Sequence, residues 1–146
     1  MPKRADVDAL LDSFTGLIRA LGLLRPDTTP CGQSMSVTEA HAIGELHQAG
    51  PATQQRLATT LRLQKSTVSR LVDQLEADGI VTREANPDDR RSVLVSLTAL
   101  GTSRAERLDD ARRALFSRLL DELGPDQRAM VVAGLTRLKE AADVLA

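Results

Sequence analysis

Between residues 53 and 80 the apolar positions recur with a helical period, and strand-like runs follow at once. Val68, Leu71, Val72 and Leu75 fall at i, i+3, i+4 and i+7, one stripe of a 3.6-residue repeat. Lys65, Ser66, Ser69, Arg70 and Asp73 lie mostly off that stripe, and Thr67 sits near the start of the helix it predicts. Gly79 is placed to end this helix in a left-handed turn. A shorter helix is expected before it, from Thr53 as N-cap to Leu61, with Leu57, Ala58 and Leu61 on one face. The residues around Arg62–Gln64 must then turn the chain. Two helices on a short turn make a helix-turn-helix, whose second helix suits a major groove.

Residues 80–85 and 93–97 are β-branched-rich runs of strand length. The polar turn between them, NPDDRRS, carries four consecutive charges, Asp88, Asp89, Arg90 and Arg91. A hairpin with that tip, next to a groove-reading helix, has the chemistry of a wing. A narrow minor groove has a strong negative potential that attracts an inserted guanidinium. An aspartate two residues before an arginine has the spacing to orient its fork, and Asp89 and Arg91 have that spacing.

The flanks are helical and amphipathic. Val7, Leu10, Leu11, Phe14, Leu17, Ile18 and Leu21 form a stripe limited by Gly22 and Pro26. Residues 26–35 read as a loop. Ser36-Val37-Thr38-Glu39 fits a capping box that opens a helix stopping at Gly50-Pro51. Thr98 is placed to cap a long helix to about Leu123, and Gly124-Pro125 breaks the chain before a last helix with Val131, Leu135, Leu138, Ala142 and Leu145. The terminal stripes approximate a heptad seam.

The segment 53–98 resembles the DNA-binding core of the MarR family of winged-helix repressors. The family's wing pattern is D-x-R, five further residues, then L-T. It stands here as Asp89-Arg90-Arg91, then Ser92 to Ser96, then Leu97-Thr98. The run KSTVSRLVDQLEADGIV is similar to the family's recognition helix. Gln64 departs from the pattern, standing where the family usually has a Ser or Thr cap.

The resemblance implies a mainly α fold with a small β-hairpin wing, in which the N- and C-terminal helices form a dimerisation domain. Residues 1–50 then hold the first dimerisation helix, a loop and a support helix. Residues 51–98 hold the winged helix-turn-helix, and 99–146 the long linker helix and the last dimerisation helix. The expected partners are palindromic double-stranded DNA, a second copy of the chain and a small-molecule effector. The expected function is a homodimeric, sequence-specific transcriptional regulator, a repressor released by a ligand or chemical signal. DNA contacts are expected from Thr53 and Arg62, from Lys65, Ser66, Thr67, Ser69, Arg70 and Gln74 of the recognition helix, and from Asp89, Arg90 and Arg91 of the wing.

Charge alone would have hidden this. The chain carries a net charge of −1, yet residues 51–72 hold four basic side chains (Arg56, Arg62, Lys65, Arg70) and no acidic one. The basic footprint is a patch. Composition is that of an ordinary globular protein, 42% hydrophobic and 27% charged, with Phe14 and Phe116 the only aromatics. No apolar run reaches membrane-spanning length and no signal peptide is evident, so a cytoplasmic location without a membrane partner is expected.

Cys31, Glu39, His41 and His47 are metal-ligand types within one short stretch, and an alternative reading is a metal- or redox-responsive regulator of the same fold using Cys31 and His41. But His41 and His47 are six apart, roughly 240° around a helix. Cys31 has uncharged neighbours, which do not favour a thiolate. No nucleophile–base pair or Gly-rich phosphate loop stands out, so neither an enzyme nor a bound cofactor or metal is expected. A helical interaction protein that does not bind DNA is the remote alternative.

Overall fold

The computed structural model describes all residues, 1–146. The chain forms two compact units, Met1–Arg112 and Arg113–Ala146. In order, the elements are α1 (Arg4–Ala20), α2 (Val37–Ala49), β1 (Ala52–Thr53), α3 (Gln54–Leu61), α4 (Lys65–Ala77), β2 (Val81–Ala85), β3 (Val93–Leu97), α5 (Ala99–Asp121) and α6 (Pro125–Leu145). The mainly helical winged fold expected from the sequence is present, and no helix is long and apolar enough to cross a membrane.

Local chemistry sets the helix ends. At α2 the Ser36 Oγ accepts from the Glu39 N–H at 3.1 Å, and the Glu39 carboxylate accepts from the Ser36 N–H at 2.7 Å. This reciprocal box satisfies two donors that the first turn leaves orphaned. At α3 the Thr53 Oγ1 accepts from the Arg56 N–H at 3.1 Å. Gln64 occupies the N-cap of α4 without a side-chain hydrogen bond, as its residue type led one to expect. Gly79, with φ of +71°, closes α4. Its N–H reaches the Glu76 carbonyl at 3.0 Å, and the Ile80 N–H reaches the Leu75 carbonyl at 2.9 Å. That is a Schellman closure, which is why β2 starts at Val81, one residue later than the apolar run suggested. Between α3 and α4 the turn is made by Arg62 at φ +55°, the one non-glycine residue with positive φ.

The sheet has order β1-β3-β2, antiparallel throughout, with Val81 opposite Leu97 and Ala85 opposite Val93. β1 was not anticipated. It pairs Ala52 with Val95 and Thr53 with Leu94, and two residues are too short to leave a periodic signature. Its effect is to tie the start of α3 to the wing.

The core of the first unit joins Ile43 and Leu46 of α2, Leu57 of α3, Val68, Val72 and Leu75 of α4, Val95 of β3 and Leu108 of α5. Leu71, on the edge of the α4 stripe, is half-buried. In contrast α1 buries none of its residues, and Val7, Leu10, Leu11, Phe14 and Leu17 are 43–60% exposed. In the second unit α6 also buries nothing, leaving Met130, Val131, Val132 and Leu135 exposed.

Candidate nucleic-acid interface

Burying Val68, Val72 and Leu75 fixes which way α4 turns its remaining residues. Successive residues are offset by about 100° around a helix. Ser66, Arg70 and Asp73 therefore point directly away from the core. Thr67 and Gln74 lie on one flank of that outer face, and Ser69 and Glu76 on the other. Lys65, Ser66, Thr67, Arg70 and Gln74 are exposed, while Ser69 is half-buried. The exposed start of α4 thus presents an ammonium, two hydroxyls and a guanidinium, and the outer face turns acidic after Arg70. The Gln74 amide donates to the Asp78 carboxylate at 3.1 Å, within the same helix. Thr53 is half-buried, and its oxygen is committed to capping α3, which leaves its hydroxyl proton to donate. Arg62 is exposed at the turn.

The wing tip is built by short polar links. The Asn86 side-chain amide donates to Ser92 Oγ at 2.8 Å, and the Asn86 Oδ1 accepts from the Asp88 N–H at 3.0 Å. Asp89, Arg90 and Arg91 are exposed beyond this closure. One expectation needs correction. The Asp89 carboxylate accepts from the backbone N–H of Arg91 at 2.9 Å. It bonds that amide instead of gripping the guanidinium, because a carboxylate two residues upstream of an N–H closes a compact Asx turn. Asp89 therefore shapes the tip from which Arg91 projects.

A feature that sequence reasoning missed joins α4 to the hairpin. The Arg83 guanidinium of β2 bonds Asp73 Oδ1 at 2.5 Å through Nη2 and the Glu76 carboxylate through Nη1, both acids belonging to α4. The pairing with Asp73 raises the Arg83 pKa above its ordinary value. Seven and ten residues separate the partners, so no local spacing rule points to them. The alternation of β2 does, in part. Arg83 shares its strand face with Val81 and stands opposite Val95, both buried, so its stem starts from the core side.

A second junction lies where the wing runs into α5. Thr98 Oγ1 accepts from the Gly101 N–H at 3.0 Å, the cap the sequence suggested, and donates to the Gly79 carbonyl at 2.6 Å. A Cβ added at Gly101 would stand 2.0 Å from the Ile80 carbonyl oxygen. The end of α4 and the start of α5 are in backbone contact there.

Beside this junction is a cleft of about 380 Å³ lined by Met35, Glu39, Leu75, Asp78 and Arg104, among others. The residues of the metal and redox alternative are placed as follows. Cys31 is half-buried, with its Sγ 3.2 Å from Thr29 Oγ1. His41 lies exposed on α2 and His47 is half-buried. Partial desolvation and the Arg112 charge lower the His41 pKa below 6.5. No three His, Cys, Asp or Glu side chains converge to hold a metal ion.

Comparison with known proteins places this geometry. The model of the MarR family matches residues 35–93, from the loop before α2 to the first residue of β3. The chain is 30% identical over 97 residues to the uncharacterized HTH-type transcriptional regulator YxaD of Bacillus subtilis (strain 168), covering 66% of this chain and 68% of YxaD. It is 28% identical over 100 residues to the uncharacterized HTH-type transcriptional regulator YkoM of the same organism, covering 68% of this chain and 65% of YkoM. The match thus spans about two thirds of the length of these relatives. Streptococcus pneumoniae FabT, solved in complex with DNA, shares the fold with a TM-score of 0.78 at 22% identity, covering 99% of this chain and 100% of that one. The family match spans the helix-turn-helix and most of the hairpin, and the likeness of fold extends over the whole length: the chain belongs to the MarR family of winged helix-turn-helix proteins.

Proposed function

We propose that the chain is a homodimeric, sequence-specific DNA-binding transcriptional regulator that acts as a repressor. The observation that carries the reading is the pair of exposed basic readers on one rigid support. The first turns of α4 present Lys65, Ser66, Thr67 and Arg70, and the adjoining hairpin presents Arg90 and Arg91. In this reading α4 lies in the major groove, where hydroxyls and Arg70 meet base edges and phosphates, and Arg91 enters the neighbouring minor groove. FabT, which shares the fold, has been solved with DNA, and that supports the assignment of the partner.

The dimer is supported by the exposed apolar stripes of α1 and α6. Five large apolar side chains exposed along one helix are more than solvated helices normally carry. A two-fold dimer places two recognition helices about one DNA turn apart, roughly 10 bp between half-site centres. The effector response is assigned to the cleft beside Arg104. Its wall includes Leu75 and Asp78, so a ligand seated there would press on the end of the recognition helix. A shift of a few Å in helix separation suffices to mismatch an operator, in proportion to the ligand's differential affinity for the two arrangements.

An electrophoretic shift assay tests the DNA-binding reading, using a palindromic duplex and its shuffled counterpart at two salt concentrations. Preference for the palindrome with a steep fall in affinity at the higher salt is expected. Equal, salt-insensitive binding to both, or no complex with either, would leave the remote alternative of a helical interaction protein.

A further inference from the structure

The recognition helix carries a contradiction that Arg83 resolves. Its outer face begins basic, but Asp73 follows Arg70 at i+3 on the same side, and Glu76 follows on the flank. Both carboxylates are substantially exposed, at 65% and 42% of their side-chain area. A helix lying against phosphates would bring that negative charge to a polyanion, and like charges brought together across an interface weaken it by large factors.

Resting on the DNA-binding reading above, we propose that Arg83 is a positioning residue, a counter-ion supplied by the chain itself that offsets one of the two negative charges of Asp73 and Glu76 and locks the wing strand to the recognition helix, and that it is not itself a DNA contact. Three observations carry this. Each terminal nitrogen of the fork donates to a carboxylate, Nη2 to Asp73 at 2.5 Å and Nη1 to Glu76. The side chain is 27% exposed, whereas Arg90 and Arg91 stand open at the tip. And β2 is an edge strand, hydrogen-bonded within the sheet only to β3, so the fork adds a polar tie between strand and helix.

The role follows from what such a pair does and does not do. Exposed ion pairs contribute little to stability, so the brace does not exist mainly to hold the fold. A planar guanidinium that bonds two carboxylates fixes the direction of each, which a lysine's point charge does not. The result is one rigid body in which the outer face of α4 and the wing keep a constant separation. That separation has to match the distance between a major groove and the adjacent minor groove. The specificity-bearing quantity is therefore partly set by a residue that meets no base.

The test compares the full-length parent with Arg83→Gln, Arg83→Lys, Asp73→Asn/Glu76→Gln and the triple variant Arg83→Gln/Asp73→Asn/Glu76→Gln, on one selected duplex over a series of salt concentrations. Urea unfolding of each serves as a control for folding. Arg83→Gln should weaken binding about tenfold, because it unmasks two carboxylates. Arg83→Lys should fall between it and the parent. The triple variant should recover to within about threefold of the parent, with an unchanged salt slope, since no phosphate contact was lost. If the triple variant binds as weakly as Arg83→Gln and the salt slope falls by about one, Arg83 contacts phosphate and the proposal is wrong. Parent-like binding by Arg83→Gln would also overturn it. A parent that binds no duplex at all contradicts the DNA-binding reading and the proposal with it, whereas failed rescue contradicts the proposal alone.

Discussion

At the wing tip the Asp89 carboxylate holds the Arg91 N–H at 2.9 Å, so the arginine is positioned through its backbone while the residue stays exposed. Arg91→Ala should cost about 1–3 kcal/mol per contact and lower the salt slope by about one per wing. Asp89→Ala should also weaken binding, although it removes a charge that repels phosphate, because the turn that presents Arg91 loosens. Asp89→Asn keeps an oxygen acceptor for that amide and should bind at least as well as the parent. Titrations of one duplex at matched ionic strength decide this, and tighter binding by Asp89→Ala would remove the turn from the mechanism. His41 gives a second residue-scale expectation. Desolvation and Arg112 set its folded pKa below 6.5. Above that pH the ring is neutral in both states and adds no pH dependence. Below it the unfolded chain takes up the proton first, so stability falls as pH drops, until the folded pKa is passed. His41→Gln should flatten part of the decline in urea midpoint as pH falls below about 6.5, at fixed protein concentration. The residue is exposed, so the effect is small, and identical slopes for the two proteins would show that desolvation is negligible.

Among the elements, the junction of α4, β3 and α5 has the least room for change. Thr98 caps α5 and bonds the Gly79 carbonyl, and a methyl at Gly101 would collide with the Ile80 carbonyl at 2.0 Å. That neighbour is backbone and has no rotamer to give. Gly101→Ala should destabilise by about 1–3 kcal/mol or more, the range for overpacking at a site that cannot relax. Gly44→Ala offers a contrast on another buried helix position, since its added methyl would meet only the end of the Arg112 side chain at 3.4 Å. Thermal unfolding of both variants checks this, and equal melting temperatures would count against the close approach. This junction also shows what a sequence reveals and what it hides. The caps at Ser36, Thr53 and Thr98 and the turn at Gly79 were legible, because each depends on residues within a few positions. The stripe of α4 was legible because burial imposes a period. The two-residue β1, the Arg83 fork and the need for glycine at 101 join residues distant in sequence, and no periodicity encodes them. Asp89 was assigned to the right turn but to the wrong atom of Arg91, because spacing brings a carboxylate within reach of both the N–H and the fork.

On the scale of the whole molecule, the first unit has a closed core, while α1 and α6 bury none of their own residues. Chains lacking residues 1–21 or 125–146 should lose solubility or dimerisation, because an exposed apolar stripe is left without its counterpart. Sedimentation of each truncation checks this, and a soluble, folded, DNA-binding monomer from either would end the dimer reading. In the proposed complex two copies present two recognition helices and two wings to one duplex at a fixed spacing. Selection of binding sites by the full-length chain from a pool of random duplexes tests it most directly. The recovered sequences should share an inverted repeat with half-site centres about 10 bp apart. Enrichment of a single unrepeated motif, of inverted repeats without fixed spacing, or of no motif at all would contradict it.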